Sequence, residues 1–198
     1  MNTPPIPASE ARRLKVLWQY DVLDTVPEEL FDDLTDLAAA ICEAPIALIS
    51  LVDESRQWFK AKVGLSVSET TRDISFCAHA ILQPDLFIVP DATKDDRFKN
   101  NPLVTAEPRI RFYAGAPLIT PDGHALGTLC VLDKEARNLG DSQKKALRVL
   151  ARLVVTQLEL RRHAKELAKA RDDTQFLQRE LEKTKANLEQ ARRNHPHG

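Results

Sequence analysis

The sequence predicts an α+β fold, in which a central antiparallel β-sheet is flanked by helices and followed by a long C-terminal coiled-coil helix. Segments of strand length recur between residues 46 and 132, and short turns join several of them. Segments with the apolar period of amphipathic helices precede and interrupt these strands. The last quarter of the chain is highly charged and carries leucines at seven-residue intervals. Helices packed against an antiparallel sheet define the α+β class.

Two helices are predicted before the first strand. Ser9 is a candidate N-cap for the first, and Leu14 and Leu17 mark its apolar face. The second begins near Pro27 and ends before Pro45, because proline suits the first turn of a helix and disfavours its continuation. Its expected buried stripe consists of Leu30, Phe31, Leu34, Leu37, Ala38 and Ile41.

The middle of the chain predicts a hairpin, a short helix and a third strand. Residues 46–53 form a nearly continuous apolar run, and residues 56–64 alternate apolar and basic side chains, so the pair is expected to form the hairpin. Ser75 is a candidate cap for a short helix that extends to residue 82. Residues 86–89 form the third strand, which Pro90 ends.

Residues 110–119 and 125–132 are the last two predicted strands, and a T-P-D-G turn joins them. In the first of these strands, one face carries Ile110, Phe112, Ala114, Ala116 and Leu118, and we expect it to contact the helices. The opposite face carries Arg111 and Tyr113. Because buried polar groups need partners, this face is expected to line a polar pocket.

The 198-residue length allows one domain and an appendage. We expect a lead-in with the first helix over residues 1–26, a core domain over 27–140, a long helix over 141–194 and a tail over 195–198. The formal net charge of −1 gives no electrostatic argument for nucleic acid as a partner.

The chain shows no sign of membrane insertion or secretion. Its longest apolar run, residues 44–52, is far too short to span a bilayer, and its N-terminus lacks a secretory signal. Its three cysteines have no C-x-x-C spacing, so neither a disulfide framework nor a metal site is expected. These features favour a cytoplasmic location.

The final helix has a heptad seam. Leu153, Leu160, Leu167, Leu181 and Leu188 occupy one core position, and Leu177 occupies the other. A helix this polar is marginal as an isolated monomer, because nothing else covers its apolar seam. We therefore expect a parallel homodimer through this helix.

Six segments, in a fixed order, carry a family signature. They read Y-D-V-L-D-T-V-P-E-E-L-F-D-D-L, R-Q-W-F-K-A-K-V-G-L, S-F-C-A-H-A-I, D-A-T-K-D-D-R-F, R-F-Y-A-G-A-P-L and L-G-T-L-C-V-L-D. Over about residues 11–161 they resemble the GAF domain family of bacterial sensory proteins. The resemblance implies an antiparallel sheet with helices on one side and a ligand pocket on the other. It also implies a regulatory input module, often N-terminal to a histidine kinase or a cyclic-dinucleotide enzyme.

No output domain of that kind is recognisable in the chain, so we expect a fragment or a stand-alone partner of an output protein. The expected pocket binds an unidentified small polar or aromatic effector, and the sequence does not indicate a cofactor. Its candidate residues are Trp58, Phe59, Cys77, His79, Arg111, Tyr113, Thr128 and Cys130. A separate loop network is expected from Asp91, Asp96, Arg97 and Phe98, in which Arg97 pairs with Asp91 or Asp96 and Phe98 anchors the loop in the core.

Cys77 and His79 admit a chemical and a structural interpretation. Bilin-binding relatives place a cysteine next to a histidine in a comparable region, but Ala78 intervenes here. If residues 75–82 are helical, the two side chains point about 200° apart and cannot both contact one small ligand. The structural interpretation is therefore favoured over chromophore, haem or metal binding.

Two alternatives remain beside the effector-binding sensor. One is a thiol-based redox enzyme or redox sensor that uses Cys77 and Cys130, since one GAF-related family reduces free methionine sulfoxide with cysteines. The other is a GAF-type dimerisation module without a ligand. No phosphate loop, nucleophile elbow or acid pair is present, so no catalytic residue is assigned and the chain is not expected to be an enzyme.

Overall fold

A computed structural model describes residues 3–194, with side chains through residue 190. The predicted tail, residues 195–198, lies outside the described residues. The chain divides after Leu158 into two units, the second of which begins at Glu159. No helix within the described residues is long and apolar enough to cross a membrane.

The first unit begins with two helices, α1 (Glu10–Gln19) and α2 (Glu29–Cys42). Phe31, Leu34 and Ala38 of α2 are buried against the sheet, as the predicted stripe requires. Leu30, Leu37 and Ile41 remain 38–47% exposed. The predicted stripe is therefore wider than the face that one helix can bury against a sheet.

A six-stranded antiparallel sheet forms the centre of this unit. Its strands are β1 (Ile46–Val52), β2 (Arg56–Val63), β3 (Glu69–Thr71), β4 (Phe87–Val89), β5 (Phe112–Ile119) and β6 (Ala125–Asp133), in the spatial order β3-β2-β1-β6-β5-β4. The predicted hairpins and the α+β class are confirmed. The sequence did not predict β3, because its three residues, E-T-T, show no apolar alternation.

Two short helices, α3 (Phe76–Ala80) and α4 (Pro102–Thr105), lie on the chain between the strands. They belong to a core on one face of the sheet, together with Phe98 and the long loops. The opposite face packs against α1, α2 and the start of the last helix. Side chains along β5 point alternately to the two cores. Phe112, Ala114 and Leu118 face the helices, and Tyr113 faces the other core.

The last helix, α5, spans Asp141–Asn194, which confirms the predicted long C-terminal helix. Its first turns belong to the first unit, because Leu147, Leu150, Val154 and Leu158 are buried against the sheet. Beyond residue 158 the seam leucines are exposed within the single chain, by 58% at Leu160 and 72% at Leu167.

Candidate functional site

A polar cluster lies beneath α3, on the sheet face opposite α1 and α2. Neighbouring strands β5 and β6 present Tyr113, Thr128 and Cys130 to this face, and α3 adds Cys77. The Cys77 and Cys130 sulfur atoms are 3.8 Å apart. The Tyr113 hydroxyl lies 3.4 Å from both the Cys77 sulfur and the Thr128 hydroxyl oxygen, and it can donate a hydrogen bond to either. The structure thus brings four predicted site residues together.

The position of the Tyr113 hydroxyl depends on Gly115. Both residues face the same side of β5, and a Cβ atom on Gly115 would lie 2.2 Å from the Tyr113 hydroxyl oxygen. The tyrosine ring therefore lies along its own strand, over the space that a side chain at position 115 would occupy. That arrangement carries the hydroxyl to the cysteine pair.

Ser75, Gln57 and Ser50 extend the polar cluster towards β2. The Ser75 hydroxyl caps α3 by accepting a hydrogen bond from the Ala78 amide at 3.0 Å, as the sequence predicted, and it donates to the Gln57 side-chain carbonyl. The Ser50 hydroxyl lies 3.4 Å from the same carbonyl oxygen. These buried polar groups are therefore hydrogen-bonded to one another.

The two thiols differ in acidity. Burial raises the pKa of Cys77, but hydrogen bonds outweigh burial and lower that pKa to about 6. The groups that hydrogen-bond to this sulfur are Cys130, Thr128, Tyr113 and Ser50. Burial and the neighbouring Cys77 raise the pKa of Cys130 well above its usual value. The pair therefore shares one proton, which stays on Cys130 when Cys77 is a thiolate.

Aromatic rings fill most of the expected pocket. The Phe76 ring stacks on Phe98 with 4.1 Å between centroids and on Tyr113 with 5.3 Å. A cavity of about 60 Å³ on this face is lined by residues that include Gln57 and Phe59. The structure therefore shows a packed aromatic core with a buried polar cluster, where the sequence led us to expect a polar pocket.

Three predicted pocket residues lie away from the cysteine pair. Trp58 is buried on the helix face of the sheet, because it alternates with Phe59 along β2. Arg111 precedes β5, and its guanidinium donates to backbone carbonyls, including that of Val104 at 2.9 Å. Because α3 is helical, His79 and Cys77 point in different directions. The His79 ring contacts the edge of the Phe98 ring, with 4.9 Å between centroids.

Ion pairs and hydrogen bonds between residues close in sequence hold the loop after β4 in place. Arg97 forms a bidentate ion pair with Asp95, at 2.8 and 2.5 Å, and not with the expected Asp91 or Asp96. Asp91 accepts from the Thr93 hydroxyl and Asp96 pairs with Lys99. A two-residue separation fits the Arg97 fork to Asp95 within the turn. The expected anchor, Phe98, is fully buried.

The sequence analysis missed a buried charge network that supports α3. Glu10 of α1 accepts hydrogen bonds from Arg13, at 2.6 and 2.9 Å, and from Arg72, at 2.6 Å. All three residues are at most 9% exposed. Arg13 also donates to the Val52 carbonyl, and Arg72 to that of Asp53. The network therefore joins α1, the β1–β2 turn and the segment before α3. In the sequence, these residues look like ordinary surface charges.

A wider cleft than the cavity beneath α3 lies between the segment before α2 and strand β2. Its volume is about 530 Å³, and it is lined in part by Asp24, Trp58 and Lys60. The Lys60 ammonium is buried and donates to the Glu28 carboxylate at 2.7 Å and to two further oxygens. Its hydrogen-bonding capacity is thus used in attaching the start of α2 to the sheet.

The comparison with family models agrees with this architecture. A model of the GAF domain matches residues 26–158. The chain belongs to the GAF domain family. The resemblance found in the sequence motifs is therefore confirmed, and so is the sensory character of the domain.

A curated relative matches most of this chain. The cyclic di-GMP phosphodiesterase PA2567 of Pseudomonas aeruginosa strain PAO1 is 46% identical over 159 residues, which cover 80% of this chain and 27% of that protein. The chain thus spans about a quarter of its relative's length. The expectation that the chain is not an enzyme is wrong in the light of this relative, whose name points to enzymatic activity.

Solved structures share the fold at low sequence identity. The GAF domain of an Acinetobacter phosphoenolpyruvate-protein phosphotransferase aligns with a TM-score of 0.57 at 17% identity, over 77% of this chain and 94% of that one. A domain of a putative two-component sensor histidine kinase from Sinorhizobium meliloti 1021 aligns with a TM-score of 0.54 at 20% identity, over 72% and 97%. At these identities the likeness establishes the fold alone.

Proposed function

We propose that this chain is the sensory module of a cytoplasmic cyclic di-GMP phosphodiesterase. In this proposal it binds a small polar or aromatic effector beneath α3 and transmits the bound state through a parallel dimeric coiled coil of α5. The observation that carries it is the 46% identity, over 159 residues, to a protein named a cyclic di-GMP phosphodiesterase. Four-fifths of the chain takes part in that match.

The effector region of the proposal is the polar cluster beneath α3. Tyr113, Thr128, Cys77 and Cys130 offer hydroxyl and thiol groups, and Phe76 and Phe98 offer flat apolar surfaces. An effector would take the place of the Phe98 ring and retain stacking on Phe76. Aromatic rings with a few convergent polar groups are the usual lining of small-molecule sites.

A short connector supports the proposed route of transmission. Strand β6 ends at Asp133 and α5 begins at Asp141, so a shift of β6 reaches the helix through seven residues. In this connector, Arg137 pairs with Asp133 at 2.9 Å and donates to the Glu43 and Cys42 carbonyls at 2.7 and 2.5 Å. Displacement of β6 would therefore be felt at the end of α2 and at the start of α5.

A second candidate is a dimerisation module without a ligand. One observation favours it, namely that protein rings fill the face beneath α3 and the cavity found there measures only about 60 Å³. Small-molecule sites usually exceed about 300 Å³. An effector would have to displace the Phe98 ring, whereas a dimerisation module without a ligand would leave that ring in place.

A native mass spectrum of freshly purified protein, repeated after denaturation, separates these candidates. We expect a dimer that carries a reproducible extra mass which denaturation releases. A dimer without extra mass would favour the dimerisation module, and extra mass that survives denaturation would indicate covalent attachment. A monomer would contradict both candidates.

A chimera tests the link to the phosphodiesterase. This chain would replace the matching 159-residue segment of the Pseudomonas aeruginosa relative, and hydrolysis of cyclic di-GMP would be measured. We expect the chimera to hydrolyse cyclic di-GMP, and Leu177→Ser to change the rate by breaking the coiled-coil seam. Equal rates for the intact and the substituted chimera would contradict transmission through α5. The matched control is Phe176→Ser, which alters an exposed apolar residue outside the seam.

A further inference from the structure

We propose that Cys77 and Cys130 form a reversible redox pair, which closes to an intramolecular disulfide between α3 and β6 when a hydroperoxide reacts with Cys77. The two cysteines lie 53 residues apart in sequence. The inference goes beyond the proposed function and does not depend on the presence of an effector.

The geometry of the pair favours closure. The sulfur atoms are 3.8 Å apart in the reduced protein, and a disulfide requires about 2.05 Å. The two sulfurs therefore need to approach by about 1.8 Å. Cys77 is the second residue of the five-residue helix α3, whereas Cys130 lies in the middle of a central strand. A small displacement of α3 can therefore supply the movement while the sheet stays in place.

The two cysteines have complementary roles in such a reaction. Donors around Cys77 favour its thiolate, which is the nucleophilic form of a thiol. Cys130 keeps its proton until Cys77 has been oxidised, and it then serves as the resolving thiol. Tyr113 contacts the Cys77 sulfur at 3.4 Å and can hydrogen-bond to it in the charged form.

A small cavity lies on the same face of the sheet as the pair. Gln57 and Phe59 line the cavity of about 60 Å³, and the Gln57 carbonyl accepts hydrogen bonds from Ser75 and Ser50. Ser75 also accepts a hydrogen bond from the Ala78 amide at 3.0 Å, so these polar groups connect the cavity lining to the helix that carries Cys77. A cavity of this volume is large enough for a molecule the size of hydrogen peroxide.

The chemistry balances with a hydroperoxide as the oxidant. The Cys77 thiolate attacks the terminal peroxide oxygen, the O–O bond breaks, and the hydroxide or alkoxide that leaves takes up a proton. This step gives a sulfenic acid on Cys77. The Cys130 sulfur then attacks the Cys77 sulfur, the S–S bond forms, the S–O bond breaks, and water leaves with the Cys130 proton. The two thiols lose two electrons, which the hydroperoxide gains.

Cys42 provides an internal control. It is the remaining cysteine, and it is buried in the core on the opposite face of the sheet. Burial raises its pKa to about 11, so it stays protonated at neutral pH. The sheet separates it from the pair, and we expect it to remain a free thiol after mild oxidation.

To test the proposal, the reduced chain is oxidised with hydrogen peroxide, and catalase then removes the oxidant. The protein is denatured and alkylated with iodoacetamide, and its intact mass is measured. Before oxidation we expect alkylation of all three cysteines. After oxidation we expect one alkylated cysteine and the loss of about 2 Da, the two thiol hydrogens. Peptide mapping should link Cys77 to Cys130, and dithiothreitol should restore full alkylation.

Other outcomes would overturn the proposal. They are continued alkylation of all three cysteines, a disulfide that contains Cys42, or addition of oxygen to Cys77 while Cys130 remains alkylatable. The wild-type measurement decides the matter without any variant. Cys42→Ser should behave like the wild type, whereas Cys130→Ser should gain about 16 Da per oxygen and form no internal disulfide. If Cys130→Ser does not fold, by circular dichroism, Cys130→Ala replaces it.

Discussion

At the scale of single residues, the Tyr113 hydroxyl connects the two polar partners of the buried cluster. It lies 3.4 Å from the Cys77 sulfur and from the Thr128 oxygen, and its own pKa is raised by burial and by the neighbouring thiols. It therefore stays protonated and acts as a donor. Its contribution is to stabilise the charged form of Cys77.

We expect Tyr113→Phe to raise the pKa of Cys77 from about 6 towards its usual value of 9, because a donor to the thiolate is lost. The free energy of unfolding should fall by about 1 kcal/mol, the net worth of one hydrogen bond. Ultraviolet absorbance of the thiolate against pH checks the first effect, and urea denaturation checks the second. The Cys42→Ser background removes the third thiol from the titration. An unchanged titration midpoint would contradict the role of Tyr113.

The Glu10 network makes a prediction about acid stability. Burial raises the pKa of Glu10, but hydrogen bonds from Arg13 and Arg72 outweigh it and lower the pKa from 4.5 to about 2. A lowered folded-state pKa adds stability that is fully present above pH 4.5 and is lost as the pH falls towards 2. Wild-type stability should therefore decline across this window.

Glu10→Gln should remove the part of the acid-induced loss of stability that protonation of Glu10 causes. It should also lower the free energy of unfolding at neutral pH by about 3–5 kcal/mol, because two buried arginines lose their counter-charge. Urea denaturation at a series of pH values measures both. Asp24→Asn is the matched control, since Asp24 also pairs with an arginine but its side chain is 62% exposed. That change should cost at most about 1 kcal/mol. Equal costs for the two variants would argue against the buried network.

At the scale of the element, α5 combines two environments in one helix. Its first turns bury Leu147, Leu150 and Leu158 in the domain core. The later seam residues Leu177 and Leu181 are 67% and 55% exposed within the single chain. A heptad of exposed leucines is typical of a helix whose apolar surface is covered by a second copy.

The seam prediction has a control in the adjacent position. Phe176 is 62% exposed, close to the value for Leu177, but it lies outside the heptad core positions. We expect Leu177→Ser to weaken dimerisation on the order of tenfold or more, because two leucines lose burial in the dimer. Phe176→Ser should leave the dimer unchanged. Sedimentation equilibrium measures both, and equal effects would refute the heptad register.

At the scale of the whole molecule, the division after Leu158 predicts two levels of stability. Residues 141–158 are supported by the domain core, whereas residues 159–190 depend on the proposed partner helix. At a concentration where the Leu177→Ser variant is monomeric, we expect amide exchange of residues 159–190 to approach that of an unstructured chain. Residues 141–158 should keep their protection. Hydrogen exchange with mass spectrometry resolves the two segments, and uniform protection along α5 would contradict this prediction.

The direction of side chains along the strands determines which site residues could be predicted from the sequence. Tyr113, Thr128 and Cys130 were predicted as pocket residues, and they share one face because side chains alternate along a strand with a period of two residues. Trp58 and Arg111 were assigned wrongly to that pocket face. At Trp58 the sequence did not show which of two adjacent aromatic residues turns towards the helices, and Arg111 lies before β5 begins.

The sequence by itself determined the α+β class, the hairpins, the long helix and the family, because apolar periodicity and turn residues act over a few positions. Only the tertiary structure decided that Cys77 meets Cys130 and that Glu10 meets Arg72, 62 residues away. It also decided that Phe98 fills the face where a pocket was expected. Contacts of this kind depend on strand order and on how helices sit over the sheet, and those are settled by packing the whole core at once.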